Sequence, residues 1–194
     1  MFNENVHLNA TEIESHGMKY KDGVEQMNRS IIGEYVDTIY HADGRVEVRE
    51  AQNCIINDIG KLIACLFKGQ AGYSRLGYWA VGQGLDSWDN TNPTPAQPTD
   101  TGCVNEIGRK EIPADKIVFL DSSNRVTQTV TNKLQITLTF TESDCNGTWR
   151  EFAIFGGNAT SSRGSGIAIN HKNHAILVKT SSMVVERQIR FTFN

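Results

Sequence analysis

His171 and His174, in the stretch "NHKNH", are the pair whose type and spacing come nearest to metal chemistry. Imidazole nitrogens bind zinc well, but a site needs three or four ligands. No third ligand lies nearby in sequence, and the polar stretch reads as a turn between strands. Cys54, Cys65, Cys103 and Cys145 contain no CxxC pair, which argues against a zinc knuckle or a redox dithiol. No metal or other cofactor is expected.

Other chemistry is as sparse. "VGQGLD" resembles half of a phosphate-binding glycine loop, yet no helical pattern follows Gly84 to supply an N-terminus for the anion. No serine sits in a Gly-x-Ser-x-Gly setting, and no Cys/His pair is apparent. Glu106 with Arg109 and Arg150 with Glu151 read as structural ion pairs or solvated faces. No catalytic residue is assigned, and the expectation is a protein that is not an enzyme.

Composition bounds the scaffold. The chain has 194 residues, of which 39% are hydrophobic and 21% charged, enough to bury one core of ordinary size. A net charge of -3 leaves no basic surplus, so nucleic acid is not an expected partner. No run of about eighteen apolar residues and no signal-peptide pattern is present, so no membrane association is expected.

The elements follow from periodicity. Residues 1–32 hold few large aliphatics and read as an extended N-terminal arm that would order against a neighbouring subunit. Residues 33–194 form the domain. Alternating runs on either side of Ala42-Asp43-Gly44 predict a hairpin. Ile55, Ile56, Ile59, Leu62, Ile63, Leu66 and Phe67 make one helical stripe, which predicts an amphipathic helix over about 53–68, capped by Asn53 and ended at Gly69. Leu134 to Phe140 and Met183 to Phe193 alternate as half-buried strands, with Arg187 alone out of pattern. "WREFAIF" and "HAILVKT" read as further short strands, and "GGNATSSRGSG" as a hairpin tip. The expected fold is mainly β, an antiparallel β-sandwich with one packed helix.

The longest connection is distinctive. Gly82 and Gly84 would turn the backbone after "YWAVGQG", and Pro93, Pro95 and Pro98 would stiffen a polar loop over residues 86–101. Such a loop is expected to reach a neighbouring copy, so Gly82, Gly84, Trp88, Pro93, Pro95 and Pro98 are candidate assembly residues.

The order of these features is familiar. An Asp-Gly hairpin precedes an "N-x-I-x-x-x-x-G" helix, then come "YWAVGQG", a Pro/Thr loop, "TGCVNEIGRKEI", "TFTESDCNGTWREFAIFGG" and "ERQIRFTF". Over about residues 33–194 the chain resembles small tail or tail-fibre-associated structural proteins of tailed bacteriophages and of phage-derived contractile injection systems. Ala153 stands where that group usually has glycine, Trp79 and Trp149 replace aliphatics, and the loop after Gly84 is longer. The resemblance implies a virion protein, assembled in the bacterial host cytoplasm on a tail, baseplate, neck or capsid surface. Its partners would be copies of itself and other particle proteins. The alternative is a receptor- or carbohydrate-binding module of the particle, with Tyr73, Trp88 and Trp149 stacking on host surface glycan.

Overall fold

The computed structural model describes residues 30–194, so the expectation for the arm lies almost wholly outside the described residues. β1 (Ile31–Tyr40) begins two residues before the expected boundary and pairs with β2 (Val46–Ile55) across the Asp-Gly turn. The His41 amide donates to the Arg45 carbonyl at 2.9 Å, and Gly44 takes the positive φ that the turn requires, +84°.

The helix starts later than its stripe suggested. α1 spans Ile59–Lys68, with Asp58 at its N-cap and Gly69 in the left-handed conformation at its end. Asn53 does not cap it: Asn53, Cys54 and Ile55 continue β2, and the turn at Asn57 and Asp58 starts the helix. Leu62 is buried and Ile59 packs on the core, whereas Leu66 and Phe67 face outward, Phe67 being 89% exposed.

The remaining elements are β3 (Ser74–Gly82), β4 (Glu106–Glu111), a 3-10 turn (Ala114–Lys116), β5 (Ile117–Leu120), β6 (Val126–Thr127), β7 (Lys133–Phe140), β8 (Gly147–Gly157), β9 (Ile167–Lys179) and β10 (Val184–Phe193). All ten strands form one antiparallel succession in the order β4-β3-β8-β9-β2-β1-β10-β7-β5-β6. β2 joins its halves by only two pairs with β9, Cys54 with His171 and Ile55 with Asn170. One core joins both halves: Tyr35, Ile39, Phe140 and Ile189 from one side meet Trp79, Trp149, Phe152 and Ile154 from the other. Tyr35 and Phe152 stack edge-on across the interface at 5.0 Å. The fold is therefore mainly β, a folded-over sheet with one helix.

β9 corrects the reading of "NHKNH" as a turn. His171 and His174 lie inside this thirteen-residue strand, where Asn170, His171, Asn173 and His174 are buried because the strand is covered on both faces. Its outer face carries a second cluster of Ile56, Ala80, Ala153, Phe155 and Ala168.

Candidate functional site

The site is built where β2 and β9 part. Trp149 stands opposite Leu177 and Glu151 opposite Asn173, so His174, Ala175 and Ile176 all face the single residue Arg150. Such a bulge frees backbone groups that the ladder would have paired. Arg49 of β2 donates to the freed carbonyls of Ala175 and Ile176 at 3.1 and 3.2 Å. The amide of Ile176 donates to the Asn90 carbonyl at 2.8 Å, so the β3–β4 loop replaces the missing strand partner.

That loop lies along its own chain. Asn173 Nδ2 donates to the Thr94 carbonyl at 2.8 Å, the Asn57 amide to Pro98 at 2.8 Å, and Arg150 to the Leu85 carbonyl at 2.9 Å. Pro93 is buried. The loop is thus attached to β8, β9 and the turn before α1, while Thr91, Asn92, Pro95 and Pro98 stay exposed.

A carboxylate–imidazole–carboxylate chain fixes the loop's far end. His171 Nδ1 lies 2.7 Å from Asp100 Oδ2 and its Nε2 lies 2.9 Å from Glu151 Oε2. Glu151 also accepts the amides of Gly84, Val104 and Asn105 at 3.0, 2.8 and 2.8 Å, tying both ends of the loop to one buried carboxylate. Burial disfavours the charged form of His171, but hydrogen bonds to Glu151 and Asp100 outweigh it and raise the imidazole pKa. Burial likewise acts against the Glu151 anion, and the bonds from His171, Asn105 and Val104 prevail and lower its pKa. The two carboxylates hold opposite edges of the ring, so these groups cannot converge on one ion. Among the described residues no group of three or more His, Cys, Asp or Glu is placed to hold a metal.

Glycine is required at two positions where the chain enters the loop. A side chain at Gly82 would collide with the Glu151 carboxylate and come within 2.7 Å of the Asn105 carbonyl oxygen. Gly84 has φ +63° and lies beneath the Trp88 ring, which occupies the space that a Cβ would need.

On the core side of β9, His174 Nδ1 lies 2.8 Å from the Ala175 carbonyl, so the neutral ring carries its proton there. Burial, and then the charge of Arg187, hold its pKa down to about 3. Arg187 is itself buried against Phe152, 4.4 Å from that ring's centre, and pairs with Asp37.

Between these two sides lies a crevice of about 250 Å³, lined by Tyr35 and Ala51 from β1 and β2, Lys172 to Ala175 from β9, and Thr91, Asn92, Pro93 and Pro95 from the loop. Sequence reasoning missed it because its walls come from separate stretches of the chain, around residues 35, 51, 91–95 and 172–175.

The three expected stacking residues do not converge. Trp149 is fully buried: it meets Phe140 edge-on at 5.0 Å and donates its indole N–H to the Cys145 carbonyl at 2.7 Å, so it cannot stack on a ligand. Tyr73 packs against Gly157 just before β3, while Trp88 covers Gly84 just beyond it, roughly 30 Å along the strand at about 3.3 Å per residue. Trp88 and the Pro93–Pro98 segment belong to one loop, but Tyr73 and Trp149 do not join them. Glu106 and Arg109 do pair, at 2.6 Å, and Arg109 also ties down the β8–β9 hairpin tip through the Thr160 and Ser165 carbonyls.

No family model, curated protein or solved structure matches this chain. No helix among the described residues is long and apolar enough to cross a membrane.

Proposed function

We propose that this chain is a non-enzymatic structural component of a phage virion or phage-tail-like particle, acting through contacts between copies. The observation that carries the assembly part is a cross-strand apolar row. Val184, Tyr40 and Val46 stand side by side on β10, β1 and β2, with Val48 two residues along β2. Tyr40, Val46 and Val48 are 45%, 55% and 60% exposed. An exposed apolar row on a sheet face is a surface for another protein. The β4 edge, by contrast, bears Lys110 and Glu111, charges that blunt strand-to-strand addition, and Arg109 holds the β8–β9 hairpin tip beside it. A second copy therefore docks on the face of the sheet and not on this edge. The resemblance of the sequence motifs to phage tail proteins supplies the particle.

The test is fractionation of particles from a producing culture. The chain is expected in the sedimenting particle fraction, and Val46→Lys with Val48→Lys is expected to move it to the supernatant. A wild-type chain that stays in the supernatant while complete particles form would contradict the proposal.

A further inference from the structure

The crevice between β2 and β9 has the composition of a small binding site, and its argument is independent of the assembly reading. Lys172 and Asn173 supply its polar groups. The Lys172 ammonium lies 5.8 Å from the centre of the Tyr35 ring. Burial alone lowers its pKa, with no carboxylate of the described chain acting on it. A half-buried ammonium without an ion-pair partner among the described residues has room for an anion. Asn173 is only 8% exposed, and its Nδ2 is held by the Thr94 carbonyl while its Oδ1 has no hydrogen-bond partner among the described residues. A buried amide oxygen without a donor is costly and is suited to accept one.

The neighbouring charges are already spoken for. Arg49 is bound to the bulge carbonyls and to Glu47, and Arg187 to Asp37. His174 stays neutral, so Lys172 is the cation available to a ligand at this crevice. The prolines Pro93 and Pro95 and the edge of Tyr35 give apolar walls, and Thr91 and Asn92 stand at the mouth. At about 250 Å³ the space falls below the roughly 300–1,000 Å³ of drug-sized ligand pockets, so it admits one ring-sized unit.

We infer that this crevice binds a carboxylated sugar unit, its carboxylate on the Lys172 ammonium, a ring hydroxyl donating to Asn173 Oδ1, and its C–H face against Pro93 and Pro95. A neutral sugar would leave the ammonium unmatched, and a simple carboxylate would leave Asn173 without a donor. The site lies on elements that sequence reading had not joined, apart from Tyr73, Trp88 and Trp149.

The experiment is titration of the full-length protein, followed by amide chemical shifts, with glucuronate, glucose, acetate and a short glutamate-rich peptide as probes. Glucuronate is expected to bind saturably, shifting Lys172, Asn173 and Thr94, at least about tenfold tighter than glucose or acetate, a difference of about 1.4 kcal/mol. Lys172→Gln should weaken glucuronate about tenfold while the melting temperature stays unchanged, and Lys172→Arg should restore part of the affinity. Equal binding of glucose, no shifts at Lys172 and Asn173, or tighter binding of the peptide than of glucuronate would each overturn the assignment.

Discussion

Asp37 and Arg187 stand directly opposite one another on β1 and β10, and their side chains close a bidentate pair inside the sandwich, Nε to Oδ1 at 2.6 Å and Nη2 to Oδ2 at 2.5 Å. The pair is sealed from water between Phe152 and Trp149, whose ring centres lie 4.4 and 5.2 Å from the guanidinium carbon. Both charges lost solvation on folding and their mutual attraction offsets part of that cost, so each depends on the other.

Removing one partner is therefore the damaging change. Arg187→Met alone is expected to cost about 3–5 kcal/mol in urea unfolding, because Asp37 is left charged and buried. The double variant Asp37→Leu with Arg187→Met should regain most of that loss. A single variant as stable as the parent would show that the pair is not closed in solution.

The histidines of β9 predict opposite pH limbs. His174 is held neutral in the fold at a pKa of about 3, against 6.5 when unfolded, so the unfolded chain binds the extra proton and stability falls as pH drops from 6.5 toward 3. His171 has a raised folded pKa, so its contribution is complete below 6.5 and is lost as pH rises through the folded value. Melting scans across pH should show His174→Gln flattening the acid limb and His171→Gln the alkaline limb. Unchanged limbs in both variants would refute these protonation states.

Glu151 accepts from both ends of the β3–β4 loop. Glu151→Gln keeps the shape but loses the anion that accepts from Gly84, Val104 and Asn105. Hydrogen exchange at those three amides should accelerate at least about tenfold, while β10 amides stay protected. Equal protection in the variant would mean that the loop is held by its prolines and by Asn90 instead.

The helix separates burial from exposure within a few residues. Leu62→Ala should cost about 2–5 kcal/mol, as for a buried leucine, whereas Phe67→Ser should stay within about 0.5 kcal/mol. Chemical unfolding of both variants checks this, and a large loss at Phe67 would place that ring in the core.

Much of this fold could be read along the chain. The Asp-Gly hairpin, β7 and β10 are written in period-two alternation, and Arg187 was visible as the residue out of pattern in β10. Its partner was harder to see, because Asp37 sits in the inward phase between Tyr35 and Ile39 and their pairing spans 150 residues. Ile55 and Ile56 extended the helical stripe backwards because β2 ends in apolar residues, so periodicity alone could not separate strand end from helix start. "NHKNH" looked like a turn because local polarity says nothing of a covering loop. The loop's own pairings had no local signal for the same reason: Asn90, Thr94 and Asp100 are matched to β9, more than seventy residues away in sequence. The crevice is a product of these distant pairings and has no local signature.

Sedimentation velocity of the full chain, beside Val46→Lys with Val48→Lys, tests the central claim most directly. The account predicts an oligomer that grows with concentration for the parent and a folded monomer for the variant, with unchanged circular dichroism. A parent that remains monomeric at every concentration, or a variant that associates as the parent does, would contradict it.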